Sequence, residues 1–135
     1  MVSRKASHSV FSVHLHFVFV TKYRRKTITT QILERLQEIF ANFCIRTKCR
    51  LIEFSGEIDH VHLLIDFHQD NNLSVLVGSL KSESSRIIQK EFSEHLSTFY
   101  GKTVFWSSSY YVASTGGAPI EKIKQYIQAQ EVPNE

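Results

Sequence analysis

The sequence predicts a single α+β domain in which helices pack on one face of an antiparallel sheet. Three observations support this class: strand-like alternation near the N-terminus, two short apolar segments joined tightly in the middle, and later stretches with helical spacing of apolar residues. The order is β-α-β-β-α-β followed by a C-terminal helix, which matches the ferredoxin-like unit. A length of 135 residues is usual for one domain, and no repeat or linker divides 1–135.

The first predicted strand covers Val10–Thr21, because apolar and polar residues alternate along it. Such alternation is typical of a half-buried strand. A basic turn, Lys22–Lys26, follows, and Thr30 can cap the first helix, whose apolar positions run from Ile32 to Phe40. One face of the strand carries Phe11, Val13, Leu15, Phe17 and Phe19, and the other carries Ser12, His14 and His16.

The remaining elements follow from shorter patterns. In the ferredoxin-like order the first and third strands are central neighbours, and the sheet face opposite the helices is free for a ligand or partner. Glycines at 116 and 117 break the chain before the last helix, which Pro119 can begin. The predicted elements are strands at Leu51–Glu57 and Asp59–Phe67, a helix at about Leu73–Phe92, a strand within Val104–Val112, and a final helix to about Gln130.

Composition limits the class of function. The formal net charge of +3 and sequence pI near 8.9 suit a polyanionic partner. Cys44 and Cys49 match no zinc motif, so we expect free thiols in a reducing cytoplasm. No secretion signal is evident, and the apolar stretch Val10–Val20 is too short and polar to span a bilayer. Phosphate loops and Gly-rich dinucleotide motifs are missing from the sequence, so no nucleotide cofactor is expected.

A histidine pair is the most informative local pattern. His60 and His62 are two residues apart in a predicted strand, so their side chains project together. Neutral imidazole is a common metal ligand, although two ligands seldom make a site and a surface pair is the plainer interpretation. His14 and His16 form a second pair on the first strand. That pair either supports the site or contacts substrate, or all four imidazoles form a zinc site, because imidazole-only ligation favours zinc or a later transition metal.

The final helix carries a candidate nucleophile. Tyr126 and Gln130 are four residues apart and share one helix face beside an isoleucine stripe. A phenol is a poor nucleophile at neutral pH, since its reference pKa is about 10, but a metal that polarises a phosphate would make attack feasible. The Gln130 carbonyl oxygen could complete a metal shell with the histidine pair. Taken alone, a tyrosine at this position is more often a packing residue at the rim of a core.

Basic residues could contact a nucleic-acid backbone. The turn after the first strand supplies cations for phosphates and a tyrosine for base stacking, although a solvated surface turn explains the same residues. A lysine on the second predicted helix could extend this patch. The candidate DNA contacts are His16, Lys22, Tyr23, Arg24, Arg25 and Lys81.

Four motifs in the same order resemble a known family. They are the first strand and basic turn at His16–Arg24, the histidine strand at Asp59–Leu64, the aromatic stretch at Phe105–Val112 with the glycines after it, and Tyr126–Gln130. Together they are similar to the single-tyrosine HUH transposases of small bacterial and archaeal insertion sequences, the TnpA-like enzymes. The resemblance covers nearly the whole chain.

The resemblance implies a mechanism. Tyr126 would be the nucleophile, and His60, His62 and Gln130 would hold Mg²⁺ or Mn²⁺. Such enzymes cut single-stranded DNA near hairpins at element ends, form a 5′-phosphotyrosine, and work as homodimers in which the tyrosine helix of one subunit often completes the other's site. The alternative is a non-catalytic module of the same fold that binds single-stranded nucleic acid or hairpins. The histidines, standing where such a module would carry an aromatic pair, count against it.

Overall fold

The computed structural model describes residues 5–6, 9–10, 13–114 and 120–130. A four-stranded sheet forms its centre, with the order β4-β5-β3-β6 and every pair antiparallel. The predicted first and third strands are therefore central neighbours, which confirms the ferredoxin-like topology. The strands are β3 (Val13–Val20), β4 (Arg50–Gly56), β5 (His60–Phe67) and β6 (Tyr111–Ser114), and a separate two-residue pair is formed by β1 (Lys5–Ala6) and β2 (Ser9–Val10).

Four α-helices accompany the sheet. The first begins one residue earlier than predicted, because Thr29 rather than Thr30 is its cap: the Thr29 hydroxyl accepts a hydrogen bond from the Ile32 backbone N–H at 3.1 Å. Asn72 caps the second helix in the same way, through Val75. The helices are α1 (Thr30–Arg46), α2 (Leu73–Glu91), the unpredicted short α3 (Ser93–Ser97) and α4 (Ile120–Gln128).

The main core lies between the sheet and the helices α1 and α2. Alternate residues of β5 are fully buried in it, namely Val61, Leu63 and Ile65. Phe17 and Phe19 of β3 join them, as the alternation predicts. The residues between them on β5, including the histidines, consequently face the other side of the sheet.

The opposite face of the sheet, which was expected to be free for a ligand or partner, is partly covered by α4. Val18 and Val20 are fully buried, and they pack with Ile123 of α4 in a second apolar cluster. The first strand is therefore buried on both faces along its second half. The polar part of this face that stays open lies beside α4 and carries the histidines.

The predicted fourth strand is wrong in its position. Val104–Val112 contributes only Tyr111 and Val112 to β6, and Trp106 makes an isolated bridge to Thr21. Before β6 the chain is anchored to α2, where the buried Ser84 hydroxyl accepts a hydrogen bond from the Trp106 indole N–H at 2.9 Å. The expected glycine break at 116 and 117 and the helix start at Pro119 lie outside the described residues.

Two further sequence expectations concern thiols and membranes. Cys44 and Cys49 are buried free thiols, as expected. Burial, with a smaller effect of Cys49, raises the pKa of Cys44 to about 12. Within the described ranges, every helix is too short or too polar to cross a bilayer.

Candidate active site

Three histidines lie together on the sheet face that carries α4. In the strand register Val18 is opposite His62 and Val20 is opposite His60. His16, two residues before Val18, therefore lies diagonally next to His62. The ring centroids of His60 and His62 are 5.0 Å apart, and His16 Nε2 makes a hydrogen bond with His62 Nδ1 at 3.1 Å. The prediction that the two strands bring histidines together is confirmed for these three residues.

The fourth histidine does not extend this group into a zinc site. His14 lies further along β3, opposite Asp66. Over the described ranges, no set of three or more His, Cys, Asp or Glu side chains is placed to hold one metal ion. The four-histidine alternative is therefore not the arrangement of this chain.

The hydrogen bonds of the histidine pair suit metal ligation. Asp59 Oδ1 lies 2.8 Å from His60 Nδ1, and a carboxylate on one ring nitrogen is the usual way in which proteins orient a ligating imidazole. The His16 contact occupies Nδ1 of His62 in the same manner. Burial, then His60 and His16, lowers the pKa of His62 to about 4, so this ring is neutral at physiological pH. Nδ1 is therefore engaged in both rings, and Nε2 is the nitrogen of each ring that could serve as a ligand.

Tyr126 and Gln130 also lie together, but at a different group of residues. The Tyr126 hydroxyl makes a 2.9 Å hydrogen bond with Ser109 Oγ. Gln130 Oε1 accepts from Ser107 Oγ at 2.8 Å and from Ser109 Oγ at 3.3 Å. Burial raises the pKa of Tyr126, and the Ser109 bond opposes that shift. The hydroxyls of Ser107 and Ser109 are therefore hydrogen-bonded to the two groups that were predicted to act as nucleophile and metal ligand, the Tyr126 phenol and the Gln130 amide oxygen.

Helix α4 separates two cavities. We call the larger one the histidine cavity; it measures about 1130 Å³ and contains all three clustered histidines, Asp59 and Arg24. The α4 residues that line it are Ile123, Lys124, Ile127 and Gln128. We call the smaller one the serine cavity; it measures about 250 Å³ and is lined by Lys22, Tyr23, residues 107–109, Ala129 and Gln130. Within one chain, the Tyr126–Gln130 pair lies on the serine side of α4 and the histidines lie on the other.

The basic turn divides its side chains between these cavities. Tyr23 and Arg24 both have left-handed backbone conformations, with φ of 59° and 54°. Such conformations cost non-glycine residues roughly 1–2 kcal/mol each, so the surrounding structure must impose them. Lys22 and Tyr23 line the serine cavity, whereas Arg24 lines the histidine cavity. Arg25 stays on the turn, with its guanidinium 5.9 Å from the Tyr23 ring centroid.

Lys81 anchors residues 107–109 of the serine cavity instead of extending an open basic patch. Its ammonium donates to the Ser107 carbonyl at 2.6 Å and to the Ser109 carbonyl at 2.9 Å. Burial, followed by the nearby Lys22, lowers the pKa of Lys81 to about 8. Two of its three N–H donors are therefore used within the chain, and a contact with DNA would rely on the third. Lys81 holds in place the two residues whose hydroxyls engage Tyr126 and Gln130.

Sequence reasoning missed the partners of the candidate residues. Asp59 stands directly before His60, so a carboxylate next to the histidine pair was the available signal for its role. Ser107 and Ser109 gave no signal, because the aromatic residues around them indicated a strand. The contacts of these serines depend on the tertiary position of α4.

Comparison with protein families and solved structures places these features in context. Residues 9–130 match the family described as Transposase IS200 like. The transposase for insertion sequence element IS200 of Salmonella typhimurium is 29% identical over 127 residues, which cover 94% of this chain and 82% of that protein. The ISDra2 transposase TnpA of Deinococcus radiodurans is 22% identical over 127 residues, which cover 94% of this chain and 90% of that protein.

Two solved structures share the fold. A crystal structure of a Deinococcus radiodurans protein assigned as a transposase aligns with a TM-score of 0.86 and 24% identity, covering 96% of this chain and 99% of that one. A REP-associated tyrosine transposase, solved bound to a REP hairpin, aligns with a TM-score of 0.58 and 10% identity, covering 96% of this chain and 70% of that one. The α+β fold of this chain is therefore shared with both of these proteins.

Proposed function

The chain belongs to the IS200-like transposase family, and we propose that it cuts and rejoins single-stranded DNA at the hairpin-marked ends of an insertion sequence. The observation that carries the proposal is the His60–His62 pair, oriented by Asp59 and His16 beside a helix that bears Tyr126. A solved protein of the same fold is bound to a hairpin, which supports this class of substrate.

The proposed reaction is a transesterification at phosphorus. The Tyr126 oxygen loses its proton and forms a bond to the phosphorus, while the bond from phosphorus to the 3′ oxygen breaks. The departing 3′ oxygen gains a proton, so the products are a 5′-phosphotyrosine and a free 3′-OH. A second 3′-OH can then attack the phosphotyrosine and release the phenol. One phosphodiester is exchanged for another, and no nucleotide needs to be hydrolysed.

A divalent cation would be held by the Nε2 atoms of His60 and His62, with the Gln130 amide oxygen as the third protein ligand. Mg²⁺ and Mn²⁺ are the proposed ions, and the imidazole nitrogens favour Mn²⁺ of the two. When bound, the cation would polarise the target phosphate and stabilise negative charge on its oxygens. Asp59 and His16 fix the ring orientations before any ion arrives.

Two subunits are proposed to build each site. In one chain the Tyr126 phenol is bonded to Ser109 on the far side of α4 from the histidines. A homodimer in which α4 of one subunit serves the histidines of its partner removes this mismatch without refolding the helix. Tyr126 and Gln130 would then move as one unit, because the Gln130 Nε2–H also donates to the Tyr126 backbone carbonyl at 3.1 Å.

The nucleophile is tested with single-stranded hairpin DNA and Mn²⁺, followed by a denaturing gel for a protein–DNA adduct. Tyr126→Phe is expected to abolish the adduct and leave hairpin affinity within about threefold, since it removes only the attacking oxygen. Tyr110→Phe, which changes a neighbouring phenol outside both cavities, is the matched control. An adduct at full yield from Tyr126→Phe would refute the assignment. Hairpin binding by wild-type protein without any adduct would favour the non-catalytic binding module.

Subunit sharing is tested by mixing two inactive variants. Tyr126→Phe and His60→Ala homodimers are each expected to form no adduct. After subunit exchange, a mixed dimer keeps one site with intact histidines from the first subunit and an intact tyrosine from the second. Recovered adduct on the His60→Ala chain is the expected result. If the mixture forms mixed dimers but no adduct, the two parts of the site do not come from different subunits.

A further inference from the structure

We propose that Arg24 is a catalytic residue whose guanidinium binds the non-bridging oxygens of the phosphate under attack. This assignment rests on the proposed cleavage reaction and adds a named electrophilic group to it. Arg24 is the member of the basic turn that lines the histidine cavity. A planar guanidinium matches two phosphate oxygens at once, and it stabilises charge that develops on them during displacement.

The turn directs this side chain into the cavity. Thr21 fixes the turn, because its hydroxyl donates to the Arg25 carbonyl at 2.7 Å and to the Asp59 carbonyl at 3.1 Å. The Tyr100 hydroxyl donates to the Lys22 carbonyl at 2.8 Å. These contacts, from three separate segments of the chain, hold the left-handed conformation of Arg24. Strained backbone that its surroundings enforce in this way is concentrated at functional sites.

The charges around Arg24 leave it available to an anion. Its Nε lies 3.6 Å from Asp59 Oδ2, while the other Asp59 oxygen is bonded to His60. That Nε is buried and finds no hydrogen-bond partner among the described residues. The side chain is nevertheless 31% exposed, so its accessible atoms lie elsewhere on the group. Asp59 therefore holds the guanidinium beside the histidine pair without saturating it.

Arg24 suits this role better than Lys124, the other basic residue lining the described part of the cavity. Lys124 lies on α4, so it moves with that helix when α4 docks onto the partner subunit. Arg24 is fixed to the same sheet as the histidines and keeps its position relative to them. An ammonium is also a single point charge and lacks the paired donors of arginine.

The test compares Arg24→Met with Lys102→Ala, which removes one exposed positive charge outside the cavity. Hairpin affinity and the rate of adduct formation at saturating DNA are measured separately. For Arg24→Met we expect a rate lower by about 10²–10³-fold, the usual effect of losing one such donor. Affinity should stay within about threefold of Lys102→Ala. Arg24→Lys should recover part of the rate, because it restores the positive charge but not the paired N–H donors of the guanidinium.

Three results would overturn the assignment. An affinity loss of tenfold or more with an unchanged saturated rate would make Arg24 an ordinary backbone contact. A rate equal to that of Lys102→Ala would remove any special role. A tenfold loss of Mn²⁺ affinity, measured by spin resonance without DNA, would show that Arg24 acts through Asp59 and His60. Failure of the cleavage proposal is separate, since wild-type protein would then form no adduct at all.

Discussion

Ser107 and Ser109 provide the most direct test of how Tyr126 becomes available. Their hydroxyls bind the phenol and the Gln130 amide oxygen, the two atoms proposed to reach phosphorus and metal. In the proposed two-subunit site, both atoms would have to leave these partners to reach the histidines. We therefore expect replacement of both serines by alanine to speed adduct formation, because the bonded arrangement competes with the active one.

The magnitude follows from the contacts that are lost. The double variant removes hydrogen bonds of 2.8 and 2.9 Å and a weaker one of 3.3 Å. A neutral hydrogen bond contributes about 0.5–1.5 kcal/mol net, and the Ser109 contacts are solvent-exposed and belong at the lower end. A total of roughly 1–2 kcal/mol shifts the equilibrium towards the released helix by about 5–30-fold. The rate of adduct formation can rise by that factor at most, because once the helix is mostly released, its release no longer limits the rate.

Single-turnover adduct formation with hairpin DNA and Mn²⁺ measures this effect. Ser108→Ala is the matched control, because Ser108 lies between the two serines and makes none of these contacts with Tyr126 or Gln130. Its rate should equal that of the wild-type protein. A double variant slower than wild type would show that the serines hold the attacking geometry. A double variant equal to Ser108→Ala would show that these bonds do not compete with catalysis.

Two further predictions concern stability and thiol reactivity. Ser84→Ala should lower the free energy of unfolding by about 1–3 kcal/mol, because it leaves the Trp106 indole N–H buried without a partner. Urea unfolding against the exposed Ser82→Ala measures this, and equal values would contradict it. Cys44, whose pKa is raised to about 12 from 9.0, should be alkylated at pH 8 about a thousandfold more slowly in native than in unfolded protein. Native labelling should increase with pH up to about 12, as thiolate forms; mass-spectrometric rates at matched pH check both statements.

The sheet and the histidine cluster could be predicted because they follow from short-range rules. A period of two places His60 and His62 on one face, and the ferredoxin-like order makes their strand a neighbour of the first. The burial of Val18 and Val20 could not be predicted in this way. Their alternation with Phe17 and Phe19 indicated an exposed face, and only the position of α4 over the sheet buries them.

The aromatic segment before β6 shows a different limit. Phe105, Trp106, Tyr110 and Tyr111 predicted a strand, since aromatic residues favour strands. Tertiary contacts override that preference. The Trp106 indole is bonded to Ser84, and Lys81 binds the carbonyls of residues 107 and 109. Before β6 the segment makes only an isolated bridge to Thr21, and the regular ladder begins at Tyr111.

The position of Tyr126 depends partly on helical periodicity, which the sequence shows, and partly on tertiary packing, which it does not. With 3.6 residues per turn, Tyr126 lies roughly 60° to one side of Ile123 and Ile127 roughly 40° to the other. Once Ile123 packs on the sheet, these two residues must therefore flank it on opposite sides, as the two cavities show. Which side faces the histidines depends on the direction in which α4 crosses the sheet, and that direction is a tertiary property. Reversing it would place the phenol in its own histidine cavity, so helix direction decides whether one chain or two would build the proposed site.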